Sequence, residues 1–150
     1  MQKQLEATRN KVKSYLESMY GEKFEEFDNG ERFIGYEGST VVQLIVRPWG
    51  EDETVVECLC YVVYSPKVNE ELLTFLLREN SKMHFGGFSL SFDDTVVYSH
   101  SIAGSNLDEN ELKITVETVS KISDYYDDMI IKNFGGMTAQ QALETKGLEM

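Results

Sequence analysis

Four side chains in the sequence carry the sulfur and imidazole groups that bind metals or act as nucleophiles. Cys58 and Cys60 lie in one strand-like run, and the two histidines are His84 and His100. A structural zinc site usually takes four ligands in two close pairs, but these histidines fall in different predicted elements. A reactive thiolate needs an exposed, electropositive setting, which an apolar run in an acidic chain does not offer. The pattern therefore predicts two buried thiols, with no metal site and no nucleophile.

Three aspartates form a second candidate. Asp124, Asp127 and Asp128 are spaced so that a helix brings them to one face. Carboxylates in this arrangement can hold a divalent cation or act as an acid and base pair. A solvated helix face is the commoner reason for such a cluster, and an anchor for a neighbouring loop through Arg78 is another. We predict no catalytic or metal-binding residue here, and whether this acidic face binds a cation stays open.

A glycine just before a helix start is a third pattern, since it can cradle a phosphate. The segment Gly104–Glu111 (GSNLDENE) has that glycine, but it lacks a lysine and carries three acids. Because an anion would be repelled there, we exclude a phosphate site.

Large apolar side chains are the remaining candidate, and they cluster on the second predicted helix and the hairpin after it. A helix that is apolar over most of its girth is best explained by burial on two sides, one of them a subunit interface. The predicted dimer or peptide-binding surface comprises Leu73, Phe75, Leu77, Met83, Phe85 and Phe88.

The strand predicted at Thr54–Tyr64 is apolar on both faces except at Glu57. Its four valines and two tyrosines disfavour a helix. The pattern is typical of a central strand that is covered on both sides, or covered on one side and packed against another subunit on the other.

The elements that must position these residues follow from periodicity and from turn residues. A helix at residues 3–20 precedes a three-stranded meander, a helix at Glu70–Met83 capped by Asn69, a hairpin, and a long helix capped by Asp108. The predicted strands are Arg32–Tyr36, Thr40–Arg47, Thr54–Tyr64, Phe88–Phe92 and Thr95–Ala103.

The order α-β-β-β-α-β-β-α predicts an α+β fold, with one antiparallel sheet of about five strands and the helices packed on one face of it. Residues 1–136 are predicted to form a single domain. Residues 137–150 are predicted to form a C-terminal tail, which is either a short helix or disordered.

The composition limits the partners that the chain can take. Its 150 residues suit one domain, and 26 acidic against 14 basic residues give a formal net charge of −12. That charge repels phosphate backbones and anionic lipids, so we exclude nucleic acid and membranes as partners. No apolar run is long enough to span a membrane, and the N-terminal residues lack the apolar centre of a signal peptide. We therefore expect a cytoplasmic protein, in which both cysteines stay reduced.

Four segments of the sequence resemble the YbjN family, specifically its cyanobacterial-type branch. They are Phe75–Asn80 (FLLREN), Phe85–Leu90 (FGGFSL), His100–Ser105 (HSIAGS) and Tyr125–Gly136 (YYDDMIIKNFGG). That family is similar in fold to the class I chaperones of type III secretion. The resemblance implies a small acidic α/β protein that forms dimers and binds extended segments of a partner. It brings no catalytic residues and no cofactor with it.

We therefore predict a non-catalytic protein-binding module, a chaperone or adaptor that acts as a homodimer and holds an extended segment of a partner protein. Hydrogen bonds at a sheet edge would supply affinity, and shallow apolar pockets would supply selectivity. The alternative is a regulatory or sensory module that binds a small ligand or a signalling partner. An enzyme that uses the cysteines or the aspartates is the least favoured hypothesis.

Overall fold

The computed structural model describes residues 1–38 and 40–146 of the chain. The helices are α1 (Gln2–Tyr20), α2 (Glu70–Asn80), α3 (Glu109–Phe134) and α4 (Ala139–Lys146). The strands are β1 (Phe24–Phe27), β2 (Arg32–Glu37), β3 (Thr40–Trp49), β4 (Glu53–Val63), β5 (Gly87–Leu90) and β6 (Val96–Ala103). A 3₁₀ turn at Asp28–Gly30 joins β1 to β2.

The strands form one antiparallel sheet in the order β1-β2-β3-β4-β6-β5. The α+β class and the single antiparallel sheet that the sequence predicts are confirmed, and the sheet has six strands where about five are predicted. The additional strand is β1, whose sequence FEEF is too short to show the alternation that identifies longer strands. In the structure this strand is identified by its pairing with β2.

One face of the sheet carries the main core. The helix α3 packs across β4 and its neighbours, α1 lies against β3, β4 and α3, and α2 contacts β5. Buried side chains alternate along the strands because successive residues point to opposite faces. The strands contribute Phe33, Val42, Leu44, Val56, Cys58, Cys60 and Tyr98 to this core.

The predicted helix starts are confirmed. The Asn69 side chain accepts a hydrogen bond from the Leu72 amide at 2.8 Å, and Asp108 and Glu111 form a reciprocal capping box. The second helix ends earlier than predicted, at Asn80 rather than Met83. The next three amides bond to carbonyls only three residues back, which tightens the chain into a turn.

The three helices of the predicted order, α1 to α3, all pack on the face of the sheet that carries the main core. The helix α4, which lies in the predicted tail, packs on the opposite face. Met137 first pairs with Tyr64 through two backbone hydrogen bonds, of 2.8 and 2.9 Å. The chain then turns through Thr138, whose hydroxyl and Gln141 cap the helix reciprocally. The domain boundary at Gly136 stays a prediction. A second small core forms between α4 and the sheet from Ile34, Val41 and Ala139, with Phe27, Tyr64 and Leu143 packed against it.

Candidate functional site

A side chain closes the β5 edge of the sheet at Phe88. The Asn80 amide group donates to the Phe88 carbonyl at 3.1 Å and accepts from the Phe88 amide at 2.6 Å. Asn80 is the last residue of α2, so the end of that helix occupies the place where a further strand would bind. Gly87 leaves room for this contact, since a Cβ there would lie 3.3 Å from the Asn80 Oδ1 atom.

The β1 edge has the opposite character. Val46 donates its amide to the Glu31 carbonyl, so Glu31 faces β3, and alternation turns Arg32 and Ile34 toward β1. Their partners in β1 are Phe27 and Glu25. The backbone N–H and C=O groups of the other two residues, Phe24 and Glu26, therefore point away from the sheet. No strand lies beyond them in the part of the chain that the structure describes.

The surroundings of β1 are acidic and partly aromatic. An open depression of about 530 Å³ is lined by Glu17, Gly21, Glu22, Phe24 and Glu25. The Phe24 ring lies over Gly35 and packs 5.5 Å from the Tyr20 ring. The surface next to the open edge thus combines three carboxylates with an aromatic ring.

The predicted dimer or peptide-binding surface is divided by the fold. Leu73, Leu77 and Phe85 are exposed, at 40%, 72% and 45%. Phe75 lies on the other flank of α2, half-buried between the rings of Tyr126 and Phe134 at 6.2 Å from each. We call these three exposed residues, Leu73, Leu77 and Phe85, the α2 patch.

The two remaining members of that predicted surface lie deeper. Met83 is half-buried and packs against the main core, and Phe88 is only 7% exposed. The Phe88 ring meets the Tyr98 and Tyr126 rings edge to face, at 5.0 and 5.1 Å. Phe88 therefore belongs to the core and offers little surface to a partner.

A second depression, of about 570 Å³, runs along the Phe75 flank of α2. The Tyr126 hydroxyl donates to Glu79 at 3.0 Å, and Lys82 pairs with the same carboxylate at 2.8 Å. The Lys82 ammonium, assisted by Tyr126, lowers the pKa of Glu79. The depression is open to solvent, unlike the enclosed pockets that usually hold small molecules.

The cysteines and histidines do not come together as a site. Burial raises the pKa of Cys60 to about 12 and that of Cys58 well above its ordinary value, so neither thiol is activated. His84 is exposed, while His100 packs edge to face on Phe85 at 5.9 Å. Among the described residues there is no group of three or more His, Cys, Asp or Glu side chains that could hold a metal.

The three aspartates differ in exposure. Asp127 is buried at 2%, and its Oδ1 atom accepts a hydrogen bond from the Asp128 amide at 2.6 Å. Asp124 and Asp128 are exposed. Since the buried carboxylate is held within its own helix, the three do not form a single solvated face. Whether the acidic face of Asp124, Asp127 and Asp128 binds a cation stays open.

Sequence reasoning missed the two features that distinguish the sheet edges. In the sequence, Asn80 is an ordinary residue near a helix end, and the residues around it do not indicate a contact with Phe88. The pair of phenylalanines that brackets Glu25 and Glu26 was the only sign of β1.

No described helix is both long and apolar enough to cross a membrane.

Comparison with solved structures shows a shared fold. A chain in the crystal structure of the ExsC–ExsE complex is 15% identical, with a TM-score of 0.62, over 81% of this chain and 95% of that one. A chain in the HopA1–SchA chaperone–effector complex is 10% identical, with a TM-score of 0.65, over 85% and 98%. An uncharacterised protein from Methanothermobacter thermautotrophicus is 16% identical, with a TM-score of 0.60, over 85% and 99%.

The architecture is thus that of the secretion chaperones. Residues 6–142 match the family described as T3SS (YopN, CesT) and YbjN peptide-binding chaperone 1 (TY-Chap1). The chain belongs to this family, which confirms the resemblance to YbjN proteins and to type III secretion chaperones. No curated protein sequence matches the chain.

Proposed function

We propose that this protein is a non-catalytic chaperone or adaptor that binds an extended segment of a partner by adding it as a strand to β1. The observation that carries the proposal is the difference between the sheet edges. β5 is closed by Asn80, whereas Phe24 and Glu26 of β1 direct their backbone groups outward. Strand addition satisfies such groups and is a common mode of peptide recognition.

The negative charge around β1 favours partner segments that carry basic side chains. Glu17, Glu22 and Glu25 lie next to the open edge, and the whole chain carries a net charge of −12. A segment with lysine or arginine side chains would approach faster and bind better than an acidic one, especially at low ionic strength. Phe24 offers the ring on which an apolar side chain of the segment packs.

The experiment is a selection of short random peptides on the full chain, followed by affinity measurements on two variants. Glu26→Pro removes one of the two outward N–H groups of β1. Glu26→Ala keeps that N–H and removes only the side chain, including its 3.0 Å ion pair with Lys13. We expect selected peptides to bind the Ala variant about as well as the wild type, and the Pro variant about tenfold more weakly or worse. Equal affinity for both variants would contradict strand addition at β1.

We also propose that the protein acts as a homodimer through the α2 patch. Its three large apolar side chains are exposed in the single chain, and exposed apolar surface commonly marks an interface. Sedimentation at micromolar concentration should give twice the chain mass of 17.2 kDa for the wild type. Leu77→Glu should give the single mass, and a wild-type monomer would refute the dimer.

The absence of catalysis is also part of the proposal. Its support is the raised pKa of both thiols, together with the finding that no group of three or more His, Cys, Asp or Glu side chains among the described residues could hold a metal. We further propose that the protein works in the cytoplasm, where its two unbridged, buried cysteines would stay reduced.

A further inference from the structure

The strand β1, to which the proposed partner segment adds, is itself held by few contacts. None of its four residues is buried. On the side of the main core, Phe24 packs beside Tyr20, and Glu26 forms its 3.0 Å ion pair with Lys13. Ion pairs that are exposed to solvent contribute little to stability. The order of β1 therefore depends on what its other side contacts.

The other side of β1 belongs to the second small core, which lies between α4 and the sheet. Phe27, the last residue of β1, packs against the three buried side chains of that core, Ile34, Val41 and Ala139. Ile34 lies on β2 directly opposite Glu25, so the core includes a residue of the ladder that joins β1 to β2. Ala139 lies in α4. One of the three side chains that support Phe27 thus comes from that helix.

The helix α4 is too short to be stable by itself. It has eight residues, and isolated helices shorter than about 12–15 residues are marginal in water. Docking on the sheet buries Ala139 and Ala142 almost completely, which leaves them 2% and 0% exposed. The helix therefore forms when it docks and unfolds when it is released, so its docking is an equilibrium between two states.

The residues just before α4 fix the place where the helix docks. Met137 and Tyr64 exchange two backbone hydrogen bonds, of 2.8 and 2.9 Å. Gly136 comes so close to this bridge that a Cβ atom there would lie 2.5 Å from the Tyr64 carbonyl oxygen. A side chain at position 136 would therefore break the bridge and release α4.

Release of α4 would remove support from β1. Without Ala139, the Ile34 and Val41 side chains would meet water, and Phe27 would lose part of its packing. An edge strand of four residues with no buried side chain frays under these conditions. A frayed strand must become ordered before a partner segment can pair with it, and the free energy of that ordering is lost from the binding free energy.

We propose that α4 positions β1 for strand addition, so that docking of α4 and binding of the partner segment strengthen each other. This inference rests on the proposed function, because β1 is the strand to which the segment adds. The helix lies against β3 and β4 and so acts on the segment only through the second core and Phe27. The coupling is reciprocal: a bound segment stabilises docked α4 by the same factor by which docked α4 raises the affinity for the segment.

The test compares Gly136→Ala with Gly135→Ala in the full chain, with a peptide that was selected for binding to the wild type. Both substitutions place a side chain at positive φ, of 94° and 76°, but a Cβ at position 135 would meet nothing within 4 Å. The affinity of Gly136→Ala should be about tenfold lower than that of the wild type, and the affinity of Gly135→Ala should stay within about twofold of it. Equal affinity of the two variants, or tighter binding by Gly136→Ala, would overturn the proposal.

Amide hydrogen exchange supplies a readout that a purely structural role of α4 would not change. The Ala142 amide bonds to the carbonyl of Thr138 at 2.9 Å, and the Leu73 amide makes the equivalent bond to Asn69 at 3.1 Å in the first turn of α2. In the wild type, bound peptide should slow exchange at Ala142 more than at Leu73. Equal slowing at both amides would mean that the peptide stabilises the whole fold alike, and would overturn the coupling.

The Glu26→Pro variant separates this inference from the proposed function. If Glu26→Pro binds the peptide weakly while Gly136→Ala binds it as the wild type does, strand addition stands and the role of α4 is overturned. If both variants bind as the wild type does, both proposals are refuted. If Gly136→Ala does not fold, the comparison of exchange at Ala142 and Leu73 in the wild type decides.

Discussion

The two edges of the sheet are both strands of four residues, yet they treat their outward backbone groups in opposite ways. At β5 the Asn80 side chain takes both the N–H and the C=O of Phe88. At β1 the corresponding groups of Phe24 and Glu26 meet no further strand in the described chain. Unpaired edges invite association, and proteins usually close them or place charges on them. One edge is therefore closed by a contact at Phe88, while the other carries only the charges of Glu25 and Glu26 and stays available to a partner.

The largest expected difference between the two edges is in stability. Phe88→Ala should lower the free energy of unfolding by about 3–5 kcal/mol, because the ring is buried between Tyr98 and Tyr126. Phe24→Ala should cost about 1–2 kcal/mol, since its ring is half-buried. Urea denaturation of both variants measures the difference. Equal losses would mean that β1 is as firmly built into the core as β5.

The contact of Asn80 with β5 predicts a smaller loss of stability, together with a change in self-association. Asn80→Ala should cost about 1–2 kcal/mol, because Phe88 loses a donor and an acceptor at once. It should also expose a second edge, so that the variant self-associates with rising concentration in sedimentation experiments. The control is Asn133→Ala, which removes an exposed bond to the Met129 carbonyl. If Asn80→Ala behaves like this control, the side chain does not close the edge.

The smallest effect concerns pH. Glu79 has a pKa below its ordinary value, chiefly because of Lys82, and it also receives the Tyr126 hydroxyl. Its stabilising contribution is therefore complete above the unfolded pKa near 4.5 and fades as the pH falls through the lower folded pKa. The stability difference between wild type and Glu79→Gln should be constant above about pH 5 and shrink as the pH falls through the lowered folded pKa of Glu79. A difference that persists in acid would assign the effect to shape rather than charge.

Local chemistry made much of the fold readable from the sequence. The caps at Asn69 and Asp108 depend on side chains three residues from the amides that they bind, so the pattern was visible without a structure. The long period of α3 and the β-branched runs of β3 and β4 placed the central elements in the correct order. The secretion-chaperone resemblance rested on blocks in or beside α2, β5, β6 and α3, and it was confirmed by the family match.

The site depended on contacts that no local pattern encodes. The six-residue apolar set on and after α2 was readable, but the fold sends Phe75 toward α3 and leaves Leu73 and Leu77 in solvent. The position of α4 on the other face follows from the bridge between Tyr64 and Met137, which joins residues distant in sequence. The closure of β5 by Asn80 exists only because α2 ends beside that strand.

Amide hydrogen exchange, followed residue by residue with and without a selected peptide, tests strand addition at β1 most directly. In the free protein the Phe88 amide should exchange slowly, while the Phe24 and Glu26 amides exchange rapidly. Bound peptide should slow exchange at Phe24 and Glu26 and leave Phe88 unchanged. Slow exchange at both β1 amides in the free protein, or no change there when peptide binds, would contradict the account.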